Sequence, residues 1–441
     1  MIKLFQLKDS HLGEVLRGAA LAFVLRGLGA GHAFLLNTVV ARLLAAEGAG
    51  LYFLSLSVTM IAAVIARLGL DNALLRFVSV HAARKEWGLV GGVFALGMRM
   101  ALISSALLTL LCFLLAPWLA EQVFDKPALG VPLRWMSLGI LSFSMMMLIS
   151  ECLKGLRSIR NAMLVSGVLY PLIGLAVVWP LITLFGVGGA NAAYVFGTGG
   201  AAVAGLLFWR RTMAGNAAPA LTFPRDQLLA SSRPLFVMSV INSAVLVWAP
   251  LLLLGIWGTT EESGVFGAAT RLAMLLTFFL TAVNTVVAPK FATLFHEGKV
   301  ETLAHIARKS ALYITLAAFP IFMLFCVAGD WVMSVFGPGF ETGGRVLAIL
   351  TAGQAVNSLT GSVGFILTMS GRESDARNVS IFSGVMLLVL CLWLIPAYGM
   401  EGAAIATTVT VAVANLLLSW FVWRRMGIVI VPFLPMRPIK R

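Results

Sequence analysis

Long apolar stretches separated by short connections constrain this chain more than any other feature of its sequence. Each stretch has roughly 18–27 residues, which lets an α-helix cross about 30 Å of hydrocarbon. Hydrophobic residues make up 60% of the chain and charged residues only 11%. The sequence therefore predicts an all-α integral membrane protein with about twelve transmembrane helices. The predicted spans are 17–43, 51–75, 90–118, 132–153, 161–184, 187–209, 234–257, 264–288, 310–336, 343–369, 379–396 and 401–423.

The second half of the chain repeats the first at a shift of about 213 residues. The anchors that keep nearly the same offset are Gly50 with Gly264, Gly186 with Gly399, Gly189 with Gly402, and Trp209 with Trp423. Insertions would have disturbed this spacing, so we expect two pseudosymmetric six-helix lobes. The predicted division is an N-terminal lobe at 1–212, a cytoplasmic linker at 213–233 and a C-terminal lobe at 234–441. Duplicated helical halves are common among membrane carriers, which makes transport the leading hypothesis.

Lysine and arginine predict the orientation of the helices in the membrane. With the N-terminus placed inside, 24 of the 32 basic residues fall in cytoplasmic segments. Both termini are therefore predicted to be cytoplasmic. The net charge of +14 fits this bias and attraction to anionic lipid headgroups, so we do not expect a nucleic-acid partner.

Short connections and missing motifs argue against an enzyme. The sequence has no nucleotide-binding glycine loop, no HExxH and no histidines or cysteines at metal-binding spacing. We therefore expect no cofactor, no bound metal and no ATP-driven step.

Four arginines, Arg26, Arg67, Arg99 and Arg271, fall within predicted spans. An arginine in mid-helix costs about 2.5–3.5 kcal/mol on insertion scales, so it usually faces water or a partner. Arg26 either lines a hydrated cavity or forms a structural pair. Arg67 lies four residues before Asp71, and the two form either a local ion pair or part of an inner gate. Arg99 and Arg271 lie near span ends, where they either reach the membrane surface or bind substrate.

Polar side chains form stripes on three predicted helices. They are His32 and Asn37 on the first helix, Thr277, Thr281 and Asn284 on the eighth, and Gln354, Asn357, Ser358 and Ser362 on the tenth. Such stripes either join helices together or contact the hydroxyl groups of a sugar.

Two segments carry a resemblance to a known family. Residues 40–52 read VARLLAAEGAGLY and residues 67–76 read RLGLDNALLR. These segments, the glycine-rich starts of the sixth and twelfth helices, and GRESDARN at 371–378 resemble the O-antigen-type oligosaccharide flippases. That family lies within the multidrug/oligosaccharidyl-lipid/polysaccharide exporter superfamily. The resemblance extends over essentially the whole chain.

The resemblance implies a function and a location. Such proteins flip polyprenyl-pyrophosphate-linked oligosaccharides, the repeat units of O-antigen, capsule or exopolysaccharide, to the outer leaflet of the bacterial plasma (inner) membrane. They do so by alternating access, in two six-helix lobes around a cationic cavity. The implied partners are membrane lipids, a coupling ion such as H⁺ or Na⁺, a glycan polymerase and a chain-length regulator.

Functional arginines of the family lie on helices one, two and eight, at places comparable to Arg26, Arg67 and Arg271. Together with the polar stripes, the candidate substrate-binding residues are Arg26, Arg67, Arg99, Arg271, His32, Asn284 and Asn357. Arg67 and Asp71 are the candidate gate.

Phosphate chemistry and the membrane potential suggest a mechanism. The planar fork of arginine binds phosphate oxygens in pairs. Moving two negative charges outward in a cell that is negative inside gains roughly 4–5 kcal/mol at 100 mV. We therefore expect the membrane potential to contribute to the driving force, with ion antiport as a supplement.

Three alternatives stay open at this stage. A multidrug extruder of the same superfamily would want buried carboxylates for ion coupling, and only Asp71 and Glu151 lie within or beside spans. A membrane glycan polymerase or ligase is disfavoured by the short outer loops. A major-facilitator carrier would need a charged signature between helices two and three, which is missing.

Overall fold

The computed structural model describes residues 10–216 and 218–430, and this part of the chain is helical, with no strand. Both predicted cytoplasmic termini lie outside the described residues. The helices are α1 (Ser10–Ala66), α2 (Leu70–Ala83), α3 (Trp87–Trp118), α4 (Gly130–Gly155), α5 (Ile159–Met163), α6 (Tyr170–Ala214), α7 (Arg225–Ser239), α8 (Leu246–Trp257), α9 (Thr260–Ala273), α10 (Leu275–His296), α11 (Val300–Val327), α12 (Gly329–Met333), α13 (Gly344–Thr360), α14 (Val363–Met369) and α15 (Glu373–Met426). Short π-helical turns at Leu119–Val123, Leu164–Leu169 and Val240–Val245 continue α3, α5 and α7.

Within the described ranges, eight helices are long and apolar enough to cross a membrane, or nine if the bent pair Glu341–Thr360 and Val363–Met369 forms one span. Three of the longest contain a kink, at Ala45 in α1, Gly186 in α6 and Gly399 in α15. Each kink lies where the sequence predicts a connection between two spans. The predicted total of twelve spans stays a prediction, because two spans can be joined through a kink without a loop.

The repeated glycines adopt the same backbone conformation in both halves of the chain. Gly186 has φ 55° and ψ −131°, and Gly399, 213 positions later, has φ 53° and ψ −131°. A positive φ is accessible to glycine because it has no Cβ. The sequence repeat is therefore also a repeat of local structure.

A close approach three residues after each of these kinks repeats as well. A Cβ on Gly189 would lie 1.9 Å from the carbonyl oxygen of Leu181, and one on Gly402 would lie 2.2 Å from that of Leu394. Any side chain at either position would overlap the preceding helical limb. Each kink therefore requires glycine at two positions, at the kink itself and three residues after it.

Contacts group the chain into two units. Unit 1 comprises Met1–Leu36, Ala62–Leu115 and Leu133–Val237, and unit 2 comprises Asn37–Ile61, Ala116–Pro132 and Met238–Arg441. The segments 37–61 and 116–132 thus pack with the C-terminal part of the chain. The lobes predicted at 1–212 and 234–441 stay a prediction.

The core of unit 1 surrounds one of the repeated tryptophans. Trp209 is buried and stacks on Phe94 with ring centroids 4.1 Å apart. Leu74, Met146 and Ile149 belong to the same cluster. The counterpart of this tryptophan in the repeat is 45% exposed, so this anchor is not matched in its surroundings.

Part of the predicted linker is docked onto α3 of unit 1. The backbone N–H of Leu221 donates to the carbonyl of Gly88 at 2.9 Å, and Phe223 is buried. A Cβ on Gly92 would lie 1.9 Å from the carbonyl oxygen of Leu221. Glycines on α3 therefore make room for this non-helical segment.

Candidate functional site

Arg67 and Asp71 meet at a break between two helices of unit 1. The sequence predicts one continuous helix here, but α1 ends at Ala66 and α2 begins at Leu70. Arg67 Nε lies 2.8 Å from Asp71 Oδ1, and the guanidinium lies 5.6 Å from the centre of the Phe143 ring. Arg67 is only 6% exposed. The pair is thus a buried one, which is a stronger constraint than a surface ion pair.

Neighbouring helices satisfy the backbone at this break. Ser104 Oγ on α3 donates to the carbonyl of Ala66 at 2.5 Å. Gly69 has φ 71°, and a Cβ there would lie 2.5 Å from the carbonyl oxygen of Ser232 on α7. A buried carbonyl without a partner would be costly, so the serine is part of what makes the break stable.

The buried guanidinium is not fully bonded. The Nε–Oδ1 contact pairs the two charges but lies outside hydrogen-bond geometry, and Arg67 Nη1 also has no hydrogen-bond partner in the described part of the chain. A buried charged donor without an acceptor lowers the stability of the fold, so the guanidinium of Arg67 is a source of instability at this break.

Two other candidate arginines of unit 1 are exposed. Arg26 on α1 and Arg99 on α3 have no ion pair or hydrogen bond within the described ranges. The apolar neighbours of Arg26, Phe23, Val24 and Leu28, are also exposed. Both guanidinium groups keep their donors available for an anion.

His32 is held by its own helix. Its Nδ1 lies 2.6 Å from the carbonyl oxygen of Leu28, one turn earlier. Because a carbonyl can only accept, Nδ1 carries the proton, which leaves Nε2 as the nitrogen that can face a further partner.

Arg271 of unit 2 contacts α1 on both sides of its kink. Its Nε donates to Asn37 Oδ1 at 3.0 Å, and its guanidinium lies 3.8 Å from the centre of the Phe53 ring. Its Nη1 donates to the carbonyl of Gly267 at 2.7 Å. Asn37 precedes Ala45 and Phe53 follows it, so this side chain ties the two limbs of the kinked helix together.

The repeated glycines Gly50 and Gly264 lie against each other in unit 2. A Cβ on Gly50 would lie 1.8 Å from the carbonyl oxygen of Thr260, and one on Gly264 would lie 2.1 Å from that of Ala46. Each glycine thus meets the carbonyl four residues before the other. The two helices α1 and α9 therefore contact each other through equivalent patches, as in a two-fold symmetric interface.

The polar stripes of the predicted spans 264–288 and 343–369 meet within unit 2, where they lie on α10 and on α13 with the start of α14. Ser362 Oγ donates to Asn284 Oδ1, and Asn357 Nδ2 donates to Gln354 Oε1 at 3.2 Å. Asn284 is therefore engaged in helix packing. Asn357 instead lines a cavity.

This cavity has a volume of about 380 Å³ and is lined by residues of α8, α9, α10, α13 and α15. Its polar lining residues are Thr270, Thr277, Gln354, Asn357, Ser383, Thr407, Thr410 and Asn415. No charged side chain lines it in the described part of the chain. We name it the C-terminal cavity.

Sequence reasoning found only part of this lining. Thr277, Gln354 and Asn357 are visible as polar stripes, whereas the lining residues of α15 were missed. The run of hydroxyls and an amide from Thr407 to Asn415 in a predicted span is a usable signal. Ser383 gives no such signal, because a lone serine in an apolar helix is common.

One basic group outside the spans has a shifted pKa. Lys126 Nζ donates to the carbonyls of Phe124, Gly255 and Gly258 at 3.1, 2.7 and 2.9 Å. Burial lowers the pKa of Lys126, and the carboxylates of Asp125 and Glu262 partly offset this effect. In the described residues, no group of three or more His, Cys, Asp or Glu side chains could hold a metal ion.

Comparison with known proteins identifies the family. Residues 15–295, more than half of the chain, match the family described as polysaccharide biosynthesis protein. The chain belongs to this family. Two relatives from Haloferax volcanii are the probable low-salt glycan biosynthesis flippase Agl15, 26% identical over 182 residues, and the probable flippase AglR, 22% identical over 174 residues. The matches cover 41% and 38% of this chain, and only 39% and 36% of those two proteins.

Solved membrane transporters have a similar fold. An inward-facing multidrug resistance MATE family transporter of the MOP superfamily matches with a TM-score of 0.73 and 17% identity, over 90% of this chain and 94% of that one. The lipid II flippase MurJ in an inward closed conformation matches with a TM-score of 0.71 and 13% identity, over 92% of this chain and 87% of that one. The prediction of an all-α, multi-pass membrane protein that resembles polysaccharide exporters is confirmed. The orientation of the termini stays a prediction.

Proposed function

We propose that this protein flips polyprenyl-pyrophosphate-linked oligosaccharides from the inner to the outer leaflet of the plasma membrane. The family and the two relatives named as flippases support this proposal. The observation that carries it in the structure is Arg26, an exposed guanidinium in an apolar helix with no partner in the described residues. Such a group needs water or an anion, and a diphosphate supplies both charge and oxygen acceptors.

Arg26 is the first phosphate ligand in this proposal, and Arg99 is the second candidate, because both keep their donors unpaired. Arg271 remains a proposed substrate residue with an added role, since it also joins the limbs of α1. Arg67 and Asp71 are proposed as the gate, because their pair holds the break between α1 and α2. O-antigen, capsule and exopolysaccharide repeat units all remain within the proposed cargo class.

The state of the acidic residues supports a glycan carrier over a cation-coupled multidrug extruder. Asp71 is paired with Arg67, and Glu151 Oε1 lies 2.5 Å from Lys154 Nζ. A carboxylate that couples transport to H⁺ or Na⁺ has to exchange its ion, and a nearby fixed cation opposes that exchange. The two acids that an extruder could use are therefore each already paired with a basic side chain.

The test is transport by purified protein in vesicles. A polyprenyl-pyrophosphate oligosaccharide is placed in one leaflet, and a membrane-impermeant lectin reports its arrival in the other. Arg26→Ala is expected to slow transport about tenfold or more, since it removes charge-assisted hydrogen bonds to the diphosphate. Arg26→Lys should retain part of the rate, because it keeps the charge and loses the fork.

Arg160→Ala is the matched control, since Arg160 is also exposed but lies in a predicted cytoplasmic connection. It should transport at the wild-type rate. A wild-type rate for Arg26→Ala would exclude Arg26 as the phosphate ligand. Accumulation of cationic dyes without movement of the lipid-linked glycan would favour the extruder.

The proposed driving force has its own test. Two negative charges moved outward gain roughly 4–5 kcal/mol at 100 mV, so collapsing the potential should slow net outward transport. Vesicles clamped by a potassium gradient and valinomycin allow the potential to be set while H⁺ and Na⁺ gradients stay absent. An unchanged rate at zero potential would contradict a contribution from the potential.

A further inference from the structure

The C-terminal cavity is lined by neutral polar groups and apolar surface. Its volume of about 380 Å³ lies at the low end of the roughly 300–1,000 Å³ typical of small-molecule pockets. Amides and hydroxyls come from α13 and α15, and Pro250, Phe266 and Leu350 supply apolar walls. An ionised group would lose its hydration here without gaining an opposite charge, so the lining selects for a neutral ligand.

Most of the hydroxyls that line this cavity are already bonded within their own helices. Thr407 Oγ1 donates to the carbonyl of Ala403 at 2.8 Å, and Thr410 Oγ1 donates to that of Ala406 at 2.7 Å. The hydroxyls of these threonines already have acceptors within their own helix, so they do not need a ligand.

Three lining groups keep unused hydrogen-bonding capacity. Ser383 is 1% exposed, and its Oγ has no hydrogen-bond partner in the described part of the chain. Asn357 gives its amide to Gln354, which leaves the carbonyl of Asn357 and the amide of Gln354 without a partner within the described ranges. One donor, one acceptor and one hydroxyl that can do either thus face the same space.

We infer that the C-terminal cavity is a subsite for one or two neutral sugar units of the cargo. This inference rests on the proposed function and adds to it the part of the protein that recognises the sugar units of the cargo. A sugar ring offers hydroxyls that donate and accept, and C–H faces that pack on apolar walls. The buried hydroxyl of Ser383 then gains the partner that it lacks, which makes the site discriminate against a cargo without that group.

The experiment compares two cargos in the same vesicles: polyprenyl pyrophosphate alone, and polyprenyl pyrophosphate with a neutral disaccharide. The measured quantity is the ratio of the two transport rates. Gln354→Leu and Asn357→Leu should each shift this ratio against the glycosylated cargo by about threefold to tenfold, the effect of one lost hydrogen bond to a ligand. Ala414→Leu, which fills the cavity without removing a polar group, should shift the ratio in the same direction.

Ser383→Ala provides a readout that a packing role would not produce. It should shift the ratio against the glycosylated cargo while leaving the melting temperature without cargo unchanged or higher, because it removes an unbonded buried hydroxyl. Ser310→Ala is the control, since Ser310 is also buried in unit 2 but donates to the carbonyl of Ala307 outside this cavity. It should keep the wild-type ratio.

Two results would overturn the inference in different ways. If both cargos move and the ratio stays at the wild-type value in all four cavity variants, the sugar subsite is wrong and the proposed function stands. If wild-type protein moves neither cargo, the proposed function fails and the subsite fails with it.

Discussion

Gly50→Ala is expected to lower the melting temperature of the purified protein in detergent by roughly 3 °C, which corresponds to overpacking of about 3 kcal/mol in a chain of 441 residues. The added Cβ would lie 1.8 Å from the carbonyl oxygen of Thr260 and 3.2 Å from the backbone nitrogen of Gly264. Backbone atoms cannot turn aside as a side chain can. The helices α1 and α9 must therefore separate along their whole crossing.

The reciprocal contact also predicts how Gly264→Ala and the double variant should behave. Gly264→Ala places a Cβ 2.1 Å from the carbonyl oxygen of Ala46, so its effect should be similar to that of Gly50→Ala. The double variant should lose less stability than the sum of the two single losses, because one separation of the helices makes room for both methyl groups. Additive losses would contradict the two-fold contact.

Gly31→Ala is the control for backbone effects. Gly31 also lies within α1, and a Cβ there would meet nothing within 4 Å. Alanine has a higher helix propensity than glycine by about 1 kcal/mol, so this variant should be as stable as wild type or more so. If Gly50→Ala behaved like Gly31→Ala, close packing of α1 on α9 would not be what this crossing contributes.

The sequence predicted the helical membrane fold because the spans can be recognised from their length and hydrophobicity. It also predicted that the anchors around Gly186 and Gly399 would correspond, and their backbone angles agree. It did not predict that α1 continues through Ala45. No local signal marks this alanine, whose φ of 55° is unusual for a residue with a Cβ.

The reason lies in tertiary contacts that replace a loop. The position that corresponds to Ala45 in the repeat is Thr259, which caps α9 through a capping box with Glu262. Ala45 has no side-chain oxygen that could form such a cap, and the crossing at Gly50 together with the contacts of Arg271 on both limbs of α1 holds the strained kink instead. Local propensity alone could not reveal this, because the stabilising partners are more than 200 positions away in the sequence.

The site was predictable to a similar degree. The spacing of Arg67 and Asp71 predicted their contact, although the helix breaks between them at Leu68 and Gly69. Gln354 and Asn357 were visible as a polar stripe. Ser383 matters only because it lacks a partner, and whether a side chain has a partner depends on packing that a single sequence does not contain.

Asp71→Asn is expected to destabilise the protein by about 3–5 kcal/mol, the usual cost of removing one member of a buried ion pair. The change keeps the shape of the side chain and leaves the guanidinium of Arg67, which is 6% exposed, without its counter-charge. The measurement is the melting temperature together with the yield of folded protein from membranes. Glu297→Gln is the control, because Glu297 is paired with Lys299 at the same 2.8 Å but both side chains are largely exposed. Its effect should stay within about 1 kcal/mol.

Arg67→Met should cost less than Asp71→Asn, although it breaks the same pair. The carboxylate that remains is 18% exposed and lies in the first turn of α2, where the helix dipole favours a negative charge. Equal losses for the two variants would show that an unpaired Arg67 guanidinium costs no more at this break than an unpaired Asp71 carboxylate.

The double variant Arg67→Met/Asp71→Leu separates folding from gating. Replacing both charges by apolar side chains of similar size should recover most of the stability lost by Asp71→Asn, because no unpaired charge stays buried. If the pair is only a local structural contact, this stable double variant should also transport at the wild-type rate. If the pair closes an inner gate, the double variant should remain folded and yet transport more slowly than wild type, since its closed state has lost the charge contact at the break. A stable double variant that transports at the wild-type rate would therefore assign Arg67 and Asp71 to the stability of the helix break and not to the transport cycle.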